Sequence, residues 1–150
     1  MRRNIENIIK EFQLDRTRIF EVSHLKYDDI IKKIERTFVV NDGSIHWSNI
    51  ENRFKPSFSV KTQYIGNNMG WYQSLDKMLP DTLNYVLFED IKNYQPKYWL
   101  YEMHPSEIVM VINESNPKDF YIVSKKFNWL ISECHEDIVF FVGEVSNYEG

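Results

Sequence analysis

The sequence contains a single cysteine, Cys134, so no disulfide can form within the chain. Because disulfides are typical of secreted proteins, we predict a cytoplasmic location. No apolar run approaches the roughly 18 residues that cross a bilayer. The segment after Met1 mixes apolar and polar residues, unlike the apolar stretch of a signal peptide. We therefore predict no membrane partner.

The sequence also lacks a basic stripe, the feature by which proteins neutralise nucleic-acid phosphates. The net charge is −4, and it is distributed unevenly. Residues 1–80 carry 13 Lys and Arg against 10 Asp and Glu, whereas residues 81–150 carry 5 against 12. An acidic half repels phosphate and attracts basic proteins. We predict a basic protein partner and no nucleic-acid partner. The alternative is that the acidity serves solubility alone.

Glycine and proline are scarce, with 5 of each, and no linker or low-complexity tract interrupts the sequence. A chain of 150 residues fits one domain, so we predict a single α+β domain over 1–150. Aromatic residues are abundant at 15%. Core filling explains this excess better than an aromatic contact face, although interfaces are also rich in Trp and Tyr.

Helical periodicity dominates the N-terminal part. Apolar residues recur at spacings of three and four from Ile5 to Phe12 and from Tyr27 to Phe38, and Ser23 is a candidate N-cap for the second helix. "WSNIENRF" predicts a short helix with a capping box of Ser48 and Glu51. A turn is predicted at 41–43, and "WYQSLDKMLP" predicts a further helix.

From residue 84 the apolar period changes to two. Five strands are predicted, in "NYVLFED", "KYWLYEMH", "DFYIVSK", "FNWLISECH" and "DIVFFVGE". "TRIFEV" and "SFSVKTQYI" are weakly strand-like, and Pro105 at the start of the ambiguous segment 106–114 favours a helix there. The predicted fold is α+β, with N-terminal helices packed on a mostly antiparallel sheet of about five strands that ends in a β-meander.

Five consecutive polar residues, 133–137, form either a catalytic or metal centre or the end of a hairpin. In a regular strand Glu133 and His135 share one face with Trp129, while Cys134 points to the other. Neither a Cys–His pair nor the three or four converging ligands of a zinc site fits that alternation. We favour the hairpin, and we predict no metal, no cofactor and no catalytic residue.

Two carboxylate–imidazole pairs remain candidates for function. Glu133 and His135 end one predicted strand, and Glu102 and His104 end another. Glu133, on a face with apolar neighbours, lies at the rim of the sheet or is buried and paired. The candidate partner-binding residues are these strand-end groups with two tryptophans: Trp99, Glu102, His104, Trp129, Glu133, His135 and Asp137.

The segment 121–143 resembles an uncharacterised bacterial protein family of unknown function through the pattern YxVxKKxxWLxxExHxD and a closing glycine. The matching residues are Tyr121, Val123, Lys125, Lys126, Trp129, Leu130, Glu133, His135, Asp137 and Gly143. The resemblance covers roughly residues 70 to 144 and implies no activity. The size, acidity and α+β layout are also similar in type to immunity proteins of bacterial toxin systems.

The leading functional hypothesis is a non-enzymatic protein-binding protein, most concretely an immunity-type inhibitor of a basic toxin. Complementary charge and a few aromatic anchors suffice for such a role. One alternative is a small hydrolase-like enzyme that uses Glu133 and His135 with Glu102 and His104. A regulatory or scaffold module is the other. A pocket joining the four side chains would favour the enzyme.

Overall fold

An antiparallel sheet organises the part of the chain that the computed structural model describes, residues 1–40, 54–67, 69–90, 98–134 and 136–147. Its strands are β1 Ile19–Glu21, β2 Val60–Tyr64, β3 Asn84–Glu89, β4 Tyr98–Met103, β5 Phe120–Ser124, β6 Trp129–Cys134 and β7 Ile138–Gly143. They lie in the order β1-β4-β3-β5-β6-β7-β2. The helices are α1 Arg2–Glu11, α2 His24–Phe38, α3 Leu75–Met78 and α4 Pro105–Ser115.

The sheet has seven strands in this part of the chain, so the expectation of about five is wrong. The two additional strands, β1 and β2, are the edge strands. β1 has three residues, and β2 exposes four of its five residues. An edge strand that buries little shows only a weak apolar alternation, because the alternation reflects the burial of one face.

The predicted meander and the predicted helix after β4 are both confirmed. β5, β6 and β7 pair in chain order with antiparallel register. α4 has Pro105 in its first turn and ends at Asn116, whose φ of 46° is left-handed. Proline is tolerated where no helical N–H bond is lost, and asparagine adopts left-handed backbone more readily than most residues.

Helices cover both faces of the sheet. The first face carries Val86, Phe88, Phe120, Ile122 and Ile131, and its buried cluster includes residues of α1 and α4 together with Leu75 of α3. The second face carries Leu87, Leu100, Tyr121, Val123 and Leu130, and its buried cluster includes residues of α2. The predicted layout of N-terminal helices alone on the sheet is therefore incomplete, because α3 and α4 also contribute.

The remaining predictions concern a turn, two short helices and the N-cap of α2. The turn at 41–43 and the helix with its capping box at Ser48 and Glu51 lie outside the described residues. Ser23 occupies the N-cap position of α2, but its side chain makes no capping hydrogen bond. Residues of "WYQSLDKMLP" form a 3₁₀ turn, Trp71–Ser74, that leads directly into α3.

Candidate functional site

Glu133 lies on the first face of the sheet. Its Cα neighbours across the sheet are Phe120 of β5 and Val139 of β7. The indole Nε1 of Trp71 donates a hydrogen bond of 2.7 Å to Glu133 Oε1. Trp71 is buried, stacks on Phe120 and meets Phe141 edge-on. Glu133 is thus half-buried and paired, as one of the two expectations stated, and its partner is the indole of Trp71.

The surroundings of Glu133 disfavour its charge. Burial raises the pKa of the Glu133 carboxyl above its ordinary value, and the hydrogen bond from Trp71 opposes that rise. Asp137 and Asp119 raise the pKa further, while Lys118 lowers it. Transferring a carboxylate out of water penalises the ionised form, and neighbouring carboxylates add repulsion. Glu133 is therefore a carboxyl group with an elevated proton affinity.

The strand ends around Glu133 form an acidic surface, which we call the acidic end and define by Asp119, Glu133, Glu136 and Asp137. Asp119 precedes β5, and the other three occupy the β6–β7 connection and its approach. Glu136 and Asp137 are exposed, whereas Asp119 and Glu133 are half-buried.

A shallow cavity of about 100 Å³ opens at the acidic end. Met69, Lys118, Glu133 and Asp137 are among its lining residues. Met69 is 71% exposed, and Tyr64, at the end of β2, is 58% exposed. Tyr64 pairs with Ile138 directly after the β6–β7 connection. Met69 thus shares a cavity with the exposed Asp137, and Tyr64 lies on the strand that pairs with β7 next to the hairpin.

The β6–β7 connection is a hairpin, as predicted. Cys134 pairs with Ile138, and the backbone N–H of Asp137 donates to the carbonyl of Cys134 at 3.1 Å. The Cys134 side chain belongs to the buried cluster of the second face, and burial raises the pKa of its thiol. His135, the predicted neighbour of Glu133, lies outside the described residues. The predicted separation of Cys134 from Glu133 is confirmed.

The second carboxylate–imidazole pair is engaged in ion pairs. Glu102 accepts a hydrogen bond from Lys125 Nζ. His104 Nδ1 lies 2.8 Å from Asp81 Oδ1, and Arg18 pairs with Asp81 at 2.8 Å. The hydrogen bonds from Arg18 and His104 lower the pKa of Asp81 to about 2. Each group of this cluster already has a charged partner that explains its position.

The sheet separates Glu102 from Glu133 in three ways. β3 and β5 lie between their strands, which places them about 14 Å apart across the sheet. Along the strands, Glu102 is level with Tyr85 and Glu133 with Phe88, three residues further on. Their side chains also project from opposite faces, because their registers differ by an odd number of residues. These two glutamates do not converge on one pocket.

The two candidate tryptophans are less accessible than a partner-binding role requires. Trp129 is 7% exposed and belongs to the buried cluster of the first face, which disfavours a role as a contact residue. The indole Nε1 of Trp99 donates to Asp90 at 3.0 Å, and its ring packs partly against the same cluster. Both tryptophans stabilise the core because helices cover this face of the sheet.

Sequence reasoning overlooked Tyr64, Met69 and the partner of Glu133. Tyr64 and Met69 flank "IGNN", a segment that gives no apolar period. The sequence pattern places Trp71 in a predicted helix, which is compatible with its 3₁₀ turn. This local pattern does not reveal that the indole donates to an acceptor 62 residues away. A large apolar residue in a loop without periodicity is the signal that could have identified Met69 as a surface anchor.

Two kinds of feature are absent from the part of the chain that the structure describes. No three His, Cys, Asp or Glu side chains in this part of the chain converge to hold a metal ion. Across the same residues, every helix is too short or too polar to traverse a bilayer.

The chain belongs to a family of unknown function, DUF6756, which matches residues 1–149. The match extends well beyond the residues 70 to 144 that carry the sequence resemblance described above. No curated protein and no solved structure matches the chain significantly.

Proposed function

We propose that the protein is a non-enzymatic binding protein that contacts a basic protein partner through its acidic end. The observation that carries the proposal is that the exposed Met69 lines one cavity with the exposed Asp137, while the exposed Tyr64 pairs with Ile138, the residue after Asp137. Protein interfaces combine apolar anchors with a polar rim. The acidic end offers apolar anchors and polar groups near the β6–β7 hairpin.

Tyr64 and Met69 are suited to be the anchors. Tyrosine and methionine are enriched at interfaces because they bury large apolar area at a moderate cost in entropy. The ring of Tyr64 lies over Gly66, where an added Cβ would come within 2.3 Å of the ring. The glycine therefore permits this ring position. An ordered, exposed aromatic ring loses less freedom on binding than a mobile one.

The carboxylates determine which partner is preferred. Asp137 lines one cavity with Met69 and Lys118, and Glu136 precedes Asp137 in the hairpin. Complementary charge accelerates association and rejects partners of like charge. A partner with a lysine- or arginine-rich surface fits this arrangement, and a nucleic acid would be repelled.

The most concrete form of this proposal is an immunity-type protein that masks a basic toxin. Its support is the acidity of residues 81–150, the small size and the α+β layout. A masking role needs surface complementarity and no catalytic group. The partner in that case is harmful when produced alone in the host cell and is tolerated when this chain is produced with it.

Site-specific photocrosslinking tests the contact surface directly. A photoreactive phenylalanine analogue is placed at Tyr64, and at Leu25 as the control, since Leu25 is 93% exposed on α2. We expect the analogue at position 64 to crosslink a basic protein in host lysate and the analogue at position 25 to give no such product. Equal crosslinking from both positions would contradict the assignment of the acidic end.

A further inference from the structure

A second cavity, of about 540 Å³, lies at the end of the sheet opposite to the acidic end. Its lining residues come from the approach to β3, the β5–β6 turn and the residue after β7, and include Leu83, Asn84, Lys126, Asn128, Trp129 and Glu144. Cavities of 300–1,000 Å³ are typical of small-molecule sites. Because it lies at the strand ends, its walls come from three separate segments of the chain.

Two opposite charges border this cavity without ion-pair partners among the described residues. Lys126 and Glu144 are both exposed and both line it. The neighbouring Lys125 is different, because its ammonium is paired with Glu102. A ligand that supplies an anion to Lys126 and a cation to Glu144 would therefore replace water at both groups without breaking an existing ion pair.

Two asparagines also line the cavity. Asn128 Oδ1 is fully shielded from solvent and has no hydrogen-bond partner in the described structure. A ligand in the cavity therefore does not reach this oxygen. The side chain of Asn84 is already committed, since its Nδ2 donates to the carbonyl of Thr82 at 3.0 Å.

The remaining wall is apolar. Pro80, Leu83 and the buried side chain of Trp129 line it. An apolar wall with one anion-binding and one cation-binding group matches the side chain, α-carboxylate and α-ammonium of an apolar amino acid. We propose that this cavity is a binding site for apolar α-amino acids, with Lys126 facing the carboxylate and Glu144 facing the ammonium.

Calorimetric titration of the full chain with L-leucine tests this site. L-leucinamide lacks the carboxylate, and N-acetyl-L-leucine lacks the ammonium. We expect saturable binding of L-leucine and about tenfold weaker binding of either derivative, since a charged hydrogen bond is lost in each case. Binding of both derivatives as tight as that of L-leucine would overturn the assignment of the charged groups.

Two variants locate the binding. Lys126→Gln removes an exposed charge at the cavity, and Lys118→Gln removes an exposed lysine at the acidic end as the matched control. We expect Lys126→Gln to weaken L-leucine binding about tenfold and Lys118→Gln to leave it unchanged. Absence of saturable L-leucine binding, or an equal effect of the two variants, would overturn the proposal. These results are independent of protein binding at the acidic end.

Discussion

The indole of Trp71 donates its N–H to the half-buried carboxyl of Glu133 at 2.7 Å, across 62 residues of chain. This hydrogen bond joins the 3₁₀ turn before α3 to the end of β6. It lies directly beneath the cavity of the acidic end, which Glu133 helps to line. The bond therefore ties the core of the first face to the surface that we propose as the contact site.

Replacement of Glu133 will destabilise the fold more than replacement of Glu136. Glu133→Ala leaves the buried indole N–H of Trp71 without its acceptor, which costs about 1–3 kcal/mol. Glu136→Ala removes an exposed carboxylate and will change the free energy of unfolding by less than about 0.5 kcal/mol. Thermal unfolding of the two variants beside the wild type measures the difference. Equal, negligible losses in melting temperature would refute this role for Glu133.

The elevated pKa of Glu133 makes stability depend on pH. Because the folded chain holds the Glu133 proton more tightly than the unfolded chain, this group favours folding below its ordinary pKa of 4.5. The contribution is lost as the pH rises from that value through the raised pKa. Glu133→Gln keeps an acceptor for Trp71 and removes the titration, so its stability relative to wild type will increase over that window.

Denaturant unfolding of Glu133→Gln and wild type at a series of pH values measures this effect. Glu136→Gln, at an exposed position two residues from the hairpin strand, is the control and will show no such trend. A constant difference between Glu133→Gln and wild type at every pH would show that burial does not raise the pKa.

Gly143→Ala will destabilise the end of the sheet that carries the second cavity. Gly143 has a φ of 84°, and an added Cβ would lie 2.3 Å from the carbonyl oxygen of Asn128. Both the left-handed backbone and the contact with main-chain atoms oppose the substitution, so we expect a loss above about 1 kcal/mol. Chemical denaturation of the variant provides the measurement.

Gly70→Ala is the matched control for that substitution. Its φ of −96° suits any residue, and the nearest atoms to an added Cβ belong to the flexible end of Gln73 at 3.3 Å. We expect a change within about 0.5 kcal/mol. Comparable losses at both glycines would mean that the crowding at Asn128 is not the cause.

The core of the fold could be predicted from sequence because its elements are long and periodic. β5, β6 and β7 follow one another with short connections, so chain order and sheet order coincide there. α4 was identified from Pro105 in its first turn. The edge strands were underestimated because β1 has three residues and β2 is mostly exposed, and neither shows a clear buried face.

The candidate site could be predicted only in part, for two physical reasons. The alternation of side chains along a strand indicated which residues share a face of β6. It placed Glu133 and Cys134 correctly, on opposite faces. It did not reveal that helices cover both faces, so the burial of Trp129 was missed. Nor does local pattern give the strand order β4-β3-β5-β6, which keeps Glu102 away from Glu133.

The most direct test of the proposed function is the capture of a partner at low and high salt by charge variants of the tagged protein. Glu136→Lys combined with Asp137→Asn reduces the charge of the acidic end, and asparagine tolerates the φ of 61° at position 137. Glu11→Lys, at an exposed position at the end of α1, is the control.

We expect wild type and Glu11→Lys to retain one stoichiometric basic protein that high salt releases, and the double variant to lose it even at low salt. Retention of the same protein by the double variant, or capture that is unaffected by salt, would contradict the account.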